Sequence, residues 1–542
     1  MINLDYLYNP AVAKDDDLFS IDRFDDKKLT FQIIDKGMIL PHKAIVDGKP
    51  TADGWGYGGL VDGNGEYIAS SHVKFNPGKG YTPPQESIQH SSETVIYLGM
   101  FHSTWGHVIT DNIKRLWFLH SEFMHQFKDC PLVYIPCIGM NLEYRHDIRR
   151  LLEILEVDLE RLRPITQPTQ FDKVILPDES FYLSSELRYT KFTDEYRQTI
   201  DRIRHFALKN HTPIANKKFY FFYGGKQIGE ERMAEYFKSK GYEVITHEQR
   251  FDFDTELNLL INAESFISTI GSVAINSLFL RDNMEAIFIP RWAGVYDNWL
   301  QTGIQVHPLN AIYIASTLSV LNINQDSSCF IVSEQLKRFF GDKWTGYSEG
   351  DFKTFLEYLT SPVRKNIAIN PFTRKMYGSV FEDFLAQLKR RKDLIAFYDL
   401  PKDWDTFRPI LTYQTHVHMR GWNDGWKFEN QSSNPLDQKL EILAIALKYP
   451  SHKLYYSVYF NDKEGWSPEV MAPEMAGTVG KRKSIYGMRV RLDEDGSKEF
   501  NILYRMHKFD DTWTPWAKNG ENLYSYGDKL NAIQIKLEAK NA

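Results

Sequence analysis

From Leu411 onward the chain repeats one pattern three times, and that repetition constrains its fold more than any other feature. The segments "LTYQTHVHMRGWNDGW…LEILAIAL", "LYYSVYFNDKEGWSPE…IYGMRVRL" and "ILYRMHKFDDTWTPW…LNAIQIKL" place Trp422, Trp466 and Trp513 about 45 residues apart, each followed by a strand-like run. Apolar and polar residues alternate within each copy, so each makes a small antiparallel sheet, and three copies bury a shared core. The tail is a repeat module, and modules of this kind usually bind. Its function must be read apart from that of the residues before it.

Those residues alternate between strand and helix. After short strands and turns over 30–75, with a hairpin signal in "DGNG" at Asp62 to Gly65, the period changes at "TVIYLGM". Strand, helix, strand "PLVYIPC", helix "EYRHDIRRLLEILEV" and strand "KVILPD" follow. A second series runs from "KKFYFFYGG" to "EAIFIP". Two such series predict an α/β fold of two Rossmann-like doubly wound units followed by the all-β repeats. The expected boundaries are 1–205 for an N-terminal lobe holding the first unit, 206–340 for the second, 341–405 for a helical segment and linker, and 406–542 for the repeats. A cleft between two such units is where ligands of open α/β sheets sit, outside the carboxyl ends of the strands.

A chain of 542 residues is too long for one core, which agrees with this division. A net charge of -6 and no basic run longer than "KRRK" at Lys389 to Lys392 leave little for a nucleic-acid backbone to bind. Cys130, Cys137 and Cys329 form no CxxC pair, as in a reducing compartment. No 18 apolar residues run together and no export signal opens the chain, so the expectation is a cytoplasmic protein.

Two segments carry chemistry. In "HSTWGHVITDNIKRLWFL", His107, Asp111 and Arg115 stand at i, i+4 and i+8, within about 80° of one helix face and opposite the stripe of Trp105, Val108, Ile109, Ile113 and Leu116. An imidazole oriented by a carboxylate could take a proton from a hydroxyl. A solvated face with ordinary ion pairing has the same spacing. In "STIGSVAINSLFL", Gly271 and Ser272 fall between a strand and a helix starting near Val273, a position that stabilises phosphate, with Asn276 one turn in. The loop "FYGGKQIGEER" has the same logic: Gly224 and Gly225 allow close backbone approach and Lys226 supplies charge. "FDFDTE" offers a DxD, but Asp254 reads better as a helix cap than as a metal ligand.

Together these segments resemble glycosyltransferase family 61. Its aromatic-x-His-x-x-x-acid helix followed by Arg-Leu is matched by His107, Asp111, Arg115 and Leu116, and its "GxxxxN" with a following "LF" and Pro by Gly271, Asn276, Leu278, Phe279 and Pro290. The likeness covers roughly residues 55–310. The chain departs from the pattern at Gly224 to Lys226, where the family usually has Arg, and at Ile270, where it often has His.

The resemblance implies a GT-B enzyme that transfers a sugar with inversion from a nucleotide donor, a UDP-sugar first, to a glycan or lipid-linked acceptor. Neither a metal nor a further cofactor is implied. His107 or Asp111 would be the base, and Lys226, Gly224, Gly225, Gly271, Ser272, Asn276 and Arg115 would surround the donor. The setting implied is bacterial capsule or exopolysaccharide synthesis, with peripheral association at the inner membrane face. The tail resembles the clostridial hydrophobic repeats with a central Gly-Trp; the middle copy keeps "GWSPEVMAPEMAGTVGKRKSIYGMRVRL". Its tryptophans could pack a core. Exposed aromatics could instead stack on sugars, with Trp426, Trp516 and Tyr524 as the contacts. A noncatalytic glycan-binding protein on a transferase fold is the alternative.

Overall fold

The computed structural model describes residues 2–15, 17–43, 45, 46, 49, 50, 56–71, 80–137, 140–184, 189–222, 224, 227–246, 252–291, 298–318, 329–360, 377–398, 411–418, 421, 422, 427–449, 452–479, 481 and 483–540. Contacts divide the chain into two compact units. One comprises 1–319, 326–358 and 376–398; the other comprises 399–542 with 320–325 and 359–375.

The first unit is mixed α/β and holds two large sheets. Its N-terminal strand, β1 (Ile2–Tyr6), belongs to the second sheet. The first sheet uses β2 (Phe31–Asp35), β3 (Met38–Lys43), β4 (Tyr57–Val61), β5 (Tyr67–Ile68), β6 (Gln89–Phe101), β7 (Leu132–Pro136), β8 (Leu162–Pro164) and β9 (Thr169–Pro177). Their order is β8-β7-β6-β9-β3-β4-β5, with β2 also on β9. Strands β6 to β9 run parallel, while β2, β3, β4 and β5 pair antiparallel. The sheet is therefore mixed rather than wholly parallel. The β4–β5 hairpin turns through Asp62 to Gly65, where the Gly65 amide donates to the Asp62 carbonyl at 3.0 Å. Strand β6 is buried continuously from Val95 to Phe101, as a central parallel strand must be. Helices α1 (His146–Ile154) and α2 (Asp194–Asn210) follow in the sequence.

The second sheet is wholly parallel. It comprises β10 (Lys218–Phe221), α3 (Glu230–Ser239), β11 (Glu243–Ile245), α4 (Phe253–Asn262), β12 (Ser265–Thr269), β13 (Glu285–Ile289), α5 (Asn298–Val306) and β14 (Asn310–Ile314). The strand order is β11-β10-β12-β13-β14-β1. Counted from β10 it reads 2-1-3-4-5, so the chain reverses direction across the sheet between β10 and β12. In register, Ile267 lies beside Tyr220 and Ile287, and these side chains sit in one buried cluster with Met233 and Phe237 of α3. Helix α6 (Glu349–Thr360) is tied to α3 by an Arg232–Asp351 ion pair at 3.0 Å.

The second unit contains antiparallel strands in three sheets. Copy one supplies β15 (Thr412–Val417), β16 (Gly421–Trp422) and β17 (Ile442–Lys448). Copy two supplies β18 (Leu454–Tyr459), β19 (Ala476–Gly477) and β20 (Gly487–Leu492). Copy three supplies β21 (Phe500–Lys508), β22 (Leu523–Tyr524) and β23 (Leu530–Ala539). Each copy pairs its two long strands, placing Tyr413 opposite Leu447, Tyr456 opposite Val490 and Tyr504 opposite Ile535. Each also gives a short segment to a neighbour: β19 pairs with β17, β22 with β20, and Asn430 and Ser433 donate amides to Ile535 and Ile533 of β23 at 2.9 and 3.0 Å. Copy two thus joins copy one, copy three joins copy two, and copy one joins copy three. At the first exchange Gly477 has φ +112, and a Cβ there would lie 2.4 Å from the Leu443 carbonyl oxygen. This fixes the glycine of "AGT".

The same ring is closed by three tyrosines. The hydroxyls of Tyr413, Tyr456 and Tyr504 donate to the carbonyls of Gln431, Glu474 and Glu521 in their own copies. Those of Tyr413 and Tyr456 also accept from the backbone amides of Ile535 and Leu447 in the preceding copy around the ring. One core draws residues from all three copies. The central tryptophans are not in it. Trp422, Trp466 and Trp513 are half-buried on the outer side, opposite His416, Tyr459 and His507. The core-packing expectation fails because Tyr413, Tyr456 and Tyr504 fill the positions facing inward.

Candidate functional site

The segment after β6 is where the structure departs most usefully from a helical projection. Trp105–His107 is one α-helical turn, Val108–Asn112 is a π turn and Leu116–His120 is a 3-10 turn. The Thr110 hydroxyl donates to the Gly106 carbonyl at 2.8 Å across this irregular stretch. One extra residue in a turn rotates everything after it by about 100°. His107 and Asp111 remain together, with Nδ1 to Oδ2 at 2.8 Å. Arg115 leaves them. Its Nε donates to the Pro177 carbonyl at 3.0 Å, one Nη donates to the Ser70 carbonyl, and the other lies 3.5 Å from Glu179.

This face is not solvated. Asp111, Lys114 and Arg115 are each 1% exposed. Lys114 lies 3.5 Å from Asp111 and forms an ion pair with Glu179, which follows the end of β9. Two acids and two bases therefore share an interior site, a costly arrangement unless the pairing is retained. On the other side of His107 stand two rings the sequence reading did not single out. His102 stacks on it at 4.7 Å and Trp299, from α5, meets it edge-on at 4.9 Å. His102 is fixed by backbone bonds with the Asn112 side chain at 2.8 and 3.1 Å and by a 3.4 Å contact from Nε2 to Cys137 Sγ. Burial, then the Asp111 charge, pushes the Cys137 thiol up to about 12.

The carboxyl ends of the two sheets meet here. A Cβ on Gly106 would lie 3.5 Å from Ser272 Oγ, so the turn after β6 packs directly against the turn after β12. Trp105 Nε1 donates to Asn276 Oδ1 at 2.6 Å, and Asn276 Nδ2 donates to Glu256 of α4 at 2.7 Å. Asn276 is buried in this clamp. The element that carries it is a short 3-10 helix, Ala274–Phe279, in place of the expected α-helix. Gly271 and Ser272 are half-buried at its entrance. Gly224 follows β10, with φ +86. Gly225, Lys226 and, in the tail, Trp426 lie outside the described residues.

The DxD segment is committed to structure. Asp252, rather than Asp254, caps α4 by accepting from the Thr255 amide at 3.2 Å, because the helix begins two residues earlier than expected. Asp254 pairs with Arg150 at 2.9 Å. Among the described residues, no three His, Cys, Asp or Glu side chains are grouped to hold a metal ion. Among the same residues, no helix is long and apolar enough to cross a membrane.

In the tail, Tyr524 accepts from Trp466 Nε1 at 3.2 Å and meets Tyr459 edge-on at 5.0 Å, with the exposed Tyr526 beyond it. Trp516 lies between Arg505, at 4.6 Å, and Lys536, at 4.9 Å. Of the residues that sequence reasoning passed over, His102 and Glu179 carried a signal, since the first directly follows β6 and the second lies two residues past β9. Lys114 had the i+3 spacing of a helix-face ion pair with Asp111, and Trp299 and Glu256 had none.

The sequence matches no protein-family model and no curated protein.

Proposed function

We propose that the first unit is an inverting glycosyltransferase of family 61 type, two Rossmann-like halves in a GT-B arrangement acting on a nucleotide sugar. The reading rests on one observation: the His107–Asp111 pair stands where the carboxyl ends of two sheets meet, across from the Gly271–Ser272 turn. Asp111 orients His107 through Nδ1, and the imidazole so held accepts the proton of the attacking hydroxyl. That hydroxyl bonds to the anomeric carbon as the bond to the diphosphate breaks on the opposite face. The leaving group gathers negative charge beside Ser272, with Lys226 as its counter-charge. A UDP-sugar is the first donor to try, and a glycan or lipid-linked saccharide is the acceptor, held by the aromatic tail. Capsule or exopolysaccharide synthesis on the cytoplasmic side, at the inner membrane face, is the setting.

A second reading has its own support. Arg115 and Asn276, both expected at the donor, spend their hydrogen bonds inside the protein. A glycan-binding protein on a transferase fold accounts for that equally well. Thermal-shift and calorimetric titration with UDP-, GDP-, CMP- and TDP-sugars, with and without EDTA, separates the two. One donor that raises the melting temperature, with transfer lost in His107→Ala, supports the enzyme. Failure of every donor to bind, with polysaccharide still bound, supports the second reading.

A further inference from the structure

The three copies of the tail pair their two long strands in the same way, so a difference at one position is informative. One residue after each ring tyrosine lies an outward-facing cross-strand pair: Gln414 with Ala446, Ser457 with Arg489 and Arg505 with Gln534. Copies two and three thus place an arginine on the same patch from opposite strands. In both, the guanidinium is fixed by one bond that Nε donates to the neighbour across the strand, to Ser457 Oγ at 2.7 Å and to Gln534 Oε1 at 2.7 Å. Each guanidinium then lies over tryptophan. Arg489 is 5.0 Å from the Trp466 centroid; Arg505 is 4.5 and 4.6 Å from those of Trp513 and Trp516.

Stacking occupies the face of a guanidinium and leaves its edge donors for a planar anion. Neither arginine has a carboxylate within ion-pair distance among the described residues. The acid beside Arg489, Glu469, is held by Arg491 through two bonds at 3.0 and 2.5 Å. Arg489, Arg491 and Glu469 line a shallow depression of about 230 Å3 with Tyr455 and Gly520, and the charge there is net positive. That volume is below the ~300 Å3 at which pockets for drug-sized ligands begin, so it suits one charged sugar ring of a longer chain. Aromatic rings flank it: Tyr455 stacks under Arg491 at 4.3 Å.

We propose that the tail binds an acidic glycan, with sugar carboxylates received by Arg489 on Trp466 and by Arg505 between Trp513 and Trp516. This rests on the reading of the tail as a glycan holder and names the chemistry of what is held. The full chain is titrated calorimetrically with oligogalacturonate, with the same oligomer as its neutral methyl ester, and with polyglutamate. The expected result is binding of the free acid alone, weakened by raised salt and reduced about fivefold by Arg489→Gln or Arg505→Gln at an unchanged melting temperature. Equal binding of the methyl ester, unaltered binding by both variants, or equal binding of polyglutamate overturns the proposal. The ester comparison needs no variant, so loss of folding in either one leaves the test intact. Binding to no glycan overturns both this proposal and the glycan-holding reading of the tail, while donor binding by the first unit remains a separate measurement.

Discussion

Replacing Lys114 by methionine should be among the most damaging single changes available in the α/β unit. Its ammonium is 1% exposed and touches two carboxylates, Asp111 at 3.5 Å and Glu179. At an effective dielectric constant of about 20, each such contact is worth about 4 kcal/mol of Coulomb energy. Much of that offsets the cost of having buried the charge. Methionine removes the cation but leaves the acids buried, Asp111 beside the imidazole of His107 and Glu179 with Arg115 at 3.5 Å. The expected loss is about 3–5 kcal/mol. Adding Glu179→Gln removes one of the stranded charges, so the double variant should be less damaged than the sum of the two singles, with a coupling of about 2 kcal/mol. Because the chain has two compact units, a single melting curve would mix them. Hydrogen exchange of the β6 and β9 amides, which flank the cluster, reports on this unit alone. Unchanged protection in Lys114→Met, or strict additivity of the two changes, would refute the interior charge network.

Burial and the adjacent Arg204 guanidinium push His307 down to about 4, from an ordinary 6.5. The unfolded chain therefore binds more protons than the folded one between those values. Stability should fall by about 2–3 kcal/mol as pH drops from about 6.5 to about 4, and His307→Gln should flatten that slope in exchange measured across the range. Trp105→Phe deletes the donor to Asn276 and should cost about 1–2 kcal/mol, read as faster exchange in both α4 and β12; a change confined to residues 103–107 would show that the clamp does not join the two sheets. Tyr413→Phe removes one of the bonds that link the first copy to the last, and it should cost as much as Tyr456→Phe, about 1–2 kcal/mol. A much smaller effect of Tyr413→Phe on exchange of β23 would mean that the ring is open at that joint.

Alternation and length were enough to read most strands and the long helices, because both signals are local: β6, β7, β9, β10, β12 and β13 all fall where apolar runs end in turns. What was not readable depended on distance or on small departures from regular geometry. Nothing in "MINLDYLY" says that Ile2 will lie beside Ala311, since an edge strand in parallel pairing carries no mark of its partner. The projection that grouped His107, Asp111 and Arg115 assumed 100° per residue. It held for the first four residues and failed after the π turn, so the pair was legible and the triad was not. Lys114 stands three residues after Asp111, a spacing that shares a face even on an ideal helix, but its pairing with Glu179 joins segments far apart in the chain. In the tail, the spacing of the tryptophans revealed the repeat. Whether they point in or out depended on which aromatic in each copy took the core, and Tyr413, Tyr456 and Tyr504 are equally aromatic and lie on the alternate face.

The cyclic exchange of segments explains how one copy can diverge without loss of the whole. In a linear stack the end copies each lack a neighbour and need polar caps. Here each copy both gives a segment and receives one, so none is terminal, and the first and last copies are joined by Asn430, Ser433 and the Tyr413 hydroxyl. What must be kept is the set of positions that face inward or cross between copies: the tyrosines, the carbonyls they bond and the tight glycine at Gly477. Outward positions carry no such constraint. The first copy can hold Gln414 and Ala446 where its neighbours hold an arginine, and the third can reach its tryptophan with Asp511 and Thr512 in place of Glu464 and Gly465. Stability is assigned to one face of each sheet and leaves the other free to vary, which is why three copies of one pattern can present three different surfaces.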